Sequence, residues 1–414
     1  MMNKDFFILN RKRLHEKLEN NSIAIFFAGQ APYKSADEEY KFAPNRNFYY
    51  LTGIDETKVI LIISNKDGKF SESLFIQESD PTMERWVGKT ISLDEAKEVS
   101  GIEDIKYLKE FQDVIGTYLN RFNIENIYLD LERQEFKIPN TESQEFAKEI
   151  ISKYPYIRIR NVYHEVALLR TIKTKDEIEL IKKAIGITNS GILSMFKNSK
   201  PGMYEYEIEA YFDFELKRNG VREFAFPTIA ASGINGTVLH YSQNNSKTKD
   251  GDLMLLDLGA QYKYYNADIS RTFPVNGKFT DRQKEIYNIV LKANEEVMKA
   301  VKPGITLSDL QKKAVEVLTE GCKAIGLIKD DSEIFKYYFH GVSHPLGLDT
   351  HDVGPNGLIL KPGMIITDEP GLYIEEEGIG IRIEDDILVT EDGYINLSED
   401  IIKSIEEIEN YMKN

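Results

Sequence analysis

The chain has 414 residues, 42% hydrophobic and 29% charged, which is long enough for two domains and typical of a water-soluble globular fold. Its 52 Lys and Arg against 68 Asp and Glu leave a formal charge of −16; this repels phosphate backbones, and with no basic run carrying interleaved aromatics it excludes nucleic-acid binding. A single cysteine, Cys322, excludes a disulfide framework and a cysteine-built metal site, and reads as a small buried residue near a helix end.

From the start, no apolar leader precedes the charged stretch 10–13, and the longest apolar runs, such as 59–63, are too short to cross a bilayer. The expectation is a cytoplasmic protein with no membrane contact. Residues 1–165 read as an α/β unit. Strand-like segments at 23–27, 48–51, 59–63, 74–77 and 127–129 alternate with helical patterns at 93–99 and 143–151, which predicts a mixed sheet covered by helices.

A boundary falls between residues 160 and 173. Thr174 and Glu177 then form a capping box that opens a helix through Ile178, Ile181, Ala184 and Ile185, and Thr280 with Gln283 opens another through Ile286, Ile289 and Val290. An internal echo follows. Lys200-Pro201-Gly202 precedes a helix expected to end near Gly220, and Lys302-Pro303-Gly304, roughly 100 residues on, precedes one expected to end near Gly321. Pro-Gly before a helix is common punctuation. If the echo is a repeat, the second domain is two similar halves with a site between them.

The chemistry is carried by acids and histidines set in apolar, strand-like sequence. Asp257 lies among Leu253, Met254, Leu255, Leu256 and Leu258, where an ionised carboxylate is costly to bury unless paired or bound to metal. Asp268 follows in a segment that a turn would bring back beside it. His340, His344 and His351 are three of only six histidines; Gly341 and Pro345 oppose a helix there, and no Glu follows His340, so this is not a His-Glu-x-x-His zinc helix. Glu369 ends an apolar strand just before a Pro-Gly turn. In 378–384, Ile379, Ile381 and Ile383 face one way while Gly380, Arg382 and Glu384 face the other. Arg382 is placed either to hold a ligand carboxylate or to pair with Glu384, unless the segment is an edge strand with a surface ion pair. Four carboxylates and one imidazole suit hard or borderline ions, Mn²⁺ first, with Co²⁺ or Zn²⁺ as substitutes. That much negative charge suits two ions, which in such sites lie ~3.5–4 Å apart and bridge a water that becomes hydroxide near neutral pH. No Gly-x-Ser-x-Gly elbow, dinucleotide fingerprint or Walker A motif competes.

The ordered set Asp257, Asp268, His344, Glu369 and Glu384, with its surrounding words, resembles the pita-bread metallopeptidases and within them the aminopeptidase P (Xaa-Pro aminopeptidase) group. The stretch from Asp37 to Gly53 is similar to that group's creatinase-type N-terminal domain. The stretch from Ser232 to Asp386 is similar to its catalytic domain. The resemblance implies a pseudo-twofold α+β catalytic domain over 172–405 and two divalent ions held by the five residues. Asp257 would bind one ion, Asp268 and Glu384 would bridge both, and His344 and Glu369 would complete the second. It further implies that Glu369 shuttles protons, that His240, His340 and His351 line the substrate pocket with His351 at the scissile carbonyl, and that Arg382 organises the carboxylates. The implied reaction is release of the residue before proline at the second position, by a dimer or tetramer. A prolidase acting on Xaa-Pro dipeptides and a non-catalytic peptide- or partner-binding protein of the same fold are the alternatives. Trp86 is similar to a segment that reaches a neighbouring subunit's active site, although on its own it reads as a core tryptophan. Phe226 stands where relatives often carry a tyrosine that supports the Arg–Asp network, so that hydrogen bond is expected to be missing.

Overall fold

The computed structural model describes residues 2–133, 135–221 and 223–413. The chain divides after Arg170 into two compact units.

The first unit is built on a six-stranded mixed sheet. Its order is Ile105–Tyr107, Lys69–Ile76, Ile60–Lys66, Ser22–Phe27, Asn126–Leu129 and Arg158–Asn161. The middle pairs, Ser22–Phe27 with Ile60–Lys66 and Ile60–Lys66 with Lys69–Ile76, are antiparallel, and the outer pairings are parallel. Ile25, Ile62, Phe75 and Leu129 form a core with Phe111 and Ile115 of helix Phe111–Arg121 and Ala147 and Ile150 of helix Glu142–Lys153. Four of the expected strands fall, to within one residue, inside strands of this sheet, and the two expected helices fall inside helices Leu93–Ser100 and Glu142–Lys153. The two outermost strands escape sequence reasoning because each is short and none of Ile105–Tyr107 or Arg158–Asn161 is fully buried.

Two expectations in this unit are wrong. Residues 48–51 are not a strand but part of helix Arg46–Thr52: the Asn45 side chain accepts from the Phe48 N–H at its start, and Gly53, at φ 69°, closes it. A short run of buried aromatics has no periodicity to separate strand from helix, and the caps decide. Trp86 is not a core residue. It lies 82% exposed on helix Pro81–Val87, which buries none of its side chains.

The second unit contains the repeat. One half has helices Lys175–Asn198 and Glu205–Arg218 and an antiparallel sheet ordered Ile269–Pro274, Leu253–Leu258, Ile229–Ser232. The other has helices Asp281–Ala300 and Leu307–Ala324 and an antiparallel sheet ordered Ile365–Asp368, Asp385–Val389, Tyr394–Asn396. Both capping boxes form. The Pro-Gly echo is structural. Gly202 and Gly304 sit at φ 91° and 92°, and their N–H groups donate to Thr248 and Leu360. Tyr204 bridges Lys247 just as Thr306 bridges Ile359. Two further glycines, Gly251 and Gly363, at φ 87° and 88°, open the strands that lead to Asp257 and Glu369. The second echo helix runs past Gly321 to Ala324. Glycine is used there for close approach and not as a stop: a Cβ at that position would lie 2.5 Å from Ile289 on the partner helix. Cys322, on the same helix, is buried, which pushes its thiol up to about 12.

Candidate metal centre

Within the first half, strand Leu253–Leu258 is buried except at Asp257, the one residue of the strand with partial exposure. The hairpin continues through the pair Gln261–Tyr262 and Tyr265–Asn266 and turns at Lys263 and Tyr264, both with positive φ, the geometry of a tight two-residue turn. Asp257 pairs with Ser270, so Asp257, Ser270 and Asp268 emerge on one face.

The second half supplies the rest. The segment before Pro345 runs beside strand Ile365–Asp368: Thr367 N–H donates to His344 O, His344 N–H donates to Thr367 Oγ1, and Glu369 N–H donates to Val342 O. Glu384 follows strand Ile379–Arg382 and is stitched across the seam between the halves. Its N–H donates to Ser270 O at 3.1 Å, and its Oε2 accepts from Ser270 Oγ at 2.8 Å.

Ligand atoms of Asp268, His344 and Glu384 all lie within 4.8 Å of one another. His344 Nε2 is 3.4 Å from Asp268 and 3.5 Å from Glu369. Its Nδ1 is 3.0 Å from Pro345 O, which fixes the tautomer and leaves Nε2 free for a metal. Asp257, Asp268, His344, Glu369 and Glu384 all line one cavity of about 840 Å³, together with His240, His340, His351 and Arg382.

These residues fit divalent metal on their own electrostatics. Asp257 Oδ1 is buried with no partner among the described residues. Burial, then the neighbouring acids, holds Asp268 and Glu384 well above the usual carboxylate range. Burial foremost raises Glu369 to about 7, with Asp268 and Asp257 adding to it and His344 and Arg382 opposing. Like charges gathered out of water keep protons unless a cation replaces them.

Arg382 organises the floor. Nη2 contacts Asp257 Oδ2, Nε donates to Ser270 Oγ, and Nη1 donates to Tyr373 OH. It therefore holds Asp257 directly and reaches Glu384 only through Ser270. Tyr373 OH in turn lies 2.8 Å from His340 Nε2, while His340 Nδ1 is 2.8 Å from Gly341 O. The consistent proton order has Tyr373 donating to a neutral His340, whose pKa burial and Arg382 lower to about 4. Phe226 carries no hydroxyl to donate from its own position. Phe226 lines the cavity, and the tyrosine of the Arg–Asp network is Tyr373. Sequence reasoning missed Tyr373, Ser270 and Asp386, whose Oδ2 accepts from the Asp268 N–H at 3.2 Å. Period-two alternation would have found Ser270, two residues beyond Asp268, and Tyr373, which faces away from Leu372 and Ile374.

Two like halves closing on a carboxylate- and histidine-lined cavity that fits divalent metal define a metallohydrolase. The chain belongs to metallopeptidase family M24: that family's profile matches residues 179–391, and a profile of the aminopeptidase P N-terminal domain matches residues 7–128. The Xaa-Pro aminopeptidase of Escherichia coli strain K12 is 36% identical, over 97% of this chain and 96% of its own length. A human relative, Xaa-Pro aminopeptidase 3, is 33% identical over 97% of this chain and 83% of its own. Among solved structures, one from Bacillus anthracis, provisionally assigned to aminopeptidase P, superposes with TM-score 0.99 at 55% identity, covering 100% of this chain and 99% of that one. E. coli aminopeptidase P with the inhibitor Pro-Leu superposes with TM-score 0.90 at 34% identity, covering 100% and 98%.

Proposed function

We propose that this chain is a dinuclear-metal Xaa-Pro aminopeptidase that releases the N-terminal residue of peptides with proline second. The observation that carries the reading is the convergence of Asp257, Asp268, His344, Glu369 and Glu384 on one cavity, in a chain alike over its full length to enzymes of that name. In this reading the five residues would hold two divalent ions, Asp257 serving one, His344 and Glu369 the other, and Asp268 and Glu384 both. Such ions, Mn²⁺ by preference, would supply a water acidic enough to ionise near neutral pH and a Lewis acid for the scissile carbonyl.

The chain's own groups do the rest. Glu369, held near neutrality in the metal-free protein, is suited to take a proton from water and return it to the departing proline nitrogen. His351 faces the cavity where negative charge develops on the carbonyl oxygen. His240 and His340 line the substrate pocket, and Arg382 holds the Asp257 carboxylate in place. The Xaa–Pro bond has no N–H, so recognition must come from shape and from the peptide's amino end.

The lone cysteine supports a reducing, cytoplasmic compartment. Exposed Met83, Trp86 and Val87 on one short helix support a homodimer or homotetramer. The deciding experiment measures Mn²⁺-dependent hydrolysis of an Xaa-Pro-Yaa tripeptide beside an Xaa-Pro dipeptide. Cleavage of the tripeptide is expected; cleavage of the dipeptide alone would make the enzyme a prolidase, and no bindable divalent metal would make it a non-catalytic binder.

A further inference from the structure

The loop from His344 to Asp352 carries two cavity-lining histidines near its ends, their ring centroids 4.4 Å apart. It is tied tightly. Asp352 N–H donates to Pro345 O at 2.9 Å, Leu346 N–H donates to Ile365 O, and both the backbone N–H and Nδ2 of Asn266 donate to Gly347 O. Among the described residues the His351 ring makes no hydrogen bond, so its direction is set by its backbone and by the edge contact with His344.

Behind that backbone lies a charge pair that the catalytic reading does not use. Lys173 Nζ is 2.9 Å from Asp352 Oδ2, and each side chain is 1% exposed. Lys173 is itself anchored, its N–H donating to Gly363 O at 2.8 Å beside the strand that leads to Glu369. The loop wraps the pair so closely that only glycine fits at 347: a Cβ there would lie 2.3 Å from Asp352 Oδ2 and 3.0 Å from Lys173 Cε. A buried ion pair is a poor source of stability, since apolar side chains of the same volume serve as well or better. What it gives is direction, because a fixed ammonium draws the carboxylate to one point.

We propose that the Lys173–Asp352 pair is a positioning device for His351, fixing the peptide from which that ring reaches the substrate. The inference rests on the reading of His351 as substrate-facing.

The test uses the Mn²⁺-loaded enzyme and an Xaa-Pro-Yaa tripeptide, with Lys173→Met, Asp352→Asn and Lys173→Arg, and with Lys173→Met placed also in a His351→Ala background. Lys173→Met and Asp352→Asn are expected to lower kcat about 10–100-fold while KM and bound metal stay within about twofold, and Lys173→Arg to recover much of the loss. In the His351→Ala background, Lys173→Met should cost less than about twofold more, because both changes disable one ring. Where a lone buried charge prevents folding, the paired Lys173→Met/Asp352→Leu variant is read by the same criteria. Wild-type kcat in a folded pair variant overturns the proposal, as does an equal fold-loss with and without His351. Wild-type kcat in His351→Ala alone overturns the role of His351 and the proposal with it.

Discussion

Arg382 and Asp257 meet as an ion pair withdrawn from solvent, Nη2 lying 2.5 Å from Oδ2 with 4% and 13% of the side chains exposed. The contact occupies one carboxylate oxygen and leaves Oδ1 without a partner among the described residues. Arg382→Lys keeps the charge but loses the fork that also reaches Ser270 and Tyr373. Metal affinity is expected to fall about 10–100-fold, read by competition against a chelator; unchanged affinity would remove Arg382 from the role given to it.

Tyr373→Phe deletes the hydroxyl between Arg382 and His340 and nothing else. A buried Arg382 N–H loses its acceptor, at a cost of about 1–3 kcal/mol in denaturant unfolding. His340 should also titrate at higher pH once its Nε2 no longer receives the tyrosine proton, which NMR of the ring can follow. A His340 titration unmoved from wild type would contradict the proton order drawn here.

Burial and crowding raise Glu369 from 4.5 to about 7, so the folded metal-free protein binds a proton that the unfolded chain releases. Its contribution is fully present below about pH 4.5 and is lost as pH rises through about 7. Chelator-stripped protein should therefore lose stability on the order of 1–3 kcal/mol between pH 5 and pH 8. Mn²⁺ should abolish that slope, and its uptake should release protons, seen as a buffer-dependent heat in calorimetry. A flat profile without metal would refute the crowding.

Glu205 is fully buried and accepts five hydrogen bonds: from the N–H, Oγ and Nδ2 groups of Ser232 and Asn235 on one oxygen, and from Tyr241 OH and Ser246 N–H on the other. These tie down the segment that carries His240. Glu205→Ala removes the shared acceptor of all five, and among the described residues only Tyr241 OH keeps other partners, Asn245 Oδ1 and Ser246 Oγ at 3.4 Å; the cost is about 3–5 kcal/mol. A raised KM should accompany the loss, checked by steady-state kinetics beside thermal unfolding; full stability would contradict the count.

Trp86→Ala removes the largest exposed side chain of helix Pro81–Val87. If that helix is the contact between copies, sedimentation should shift to a smaller species without loss of bound metal. An unchanged sedimentation coefficient would place the interface elsewhere.

The sequence disclosed more of the second unit than of the first. Asp257 and Asp268 were visible because a carboxylate inside an apolar strand is energetically out of place. The Lys-Pro-Gly echo was visible because a positive-φ turn needs glycine both times. Helix Arg46–Thr52 was misread because its residues are buried all round, and only Asn45 and Gly53 at its ends betray it. The second echo helix was expected to end near Gly321 and runs on to Ala324, and the role of that glycine in helix-to-helix spacing is a tertiary fact that sequence does not show. Ser270, Tyr373 and Asp386 were overlooked because they act on ligands and not as ligands, and residue type alone carries no mark of that.

The cavity-lining acids come from two hairpins, one ending by Pro274 and one reaching Glu384, and the two are joined across the seam by Ser270 with Glu384, Thr272 with Arg382, and Arg382 with Asp257. A chain emerging from a ribosome can therefore complete the first half-sheet while still lacking every residue of the partner hairpin. Loop closure over that span comes late, and a cation that binds only the finished cavity stabilises only the finished chain. If the five residues hold metal as proposed, occupancy would report complete synthesis, since a polypeptide truncated before Glu384 would lack one of the acids that line the cavity.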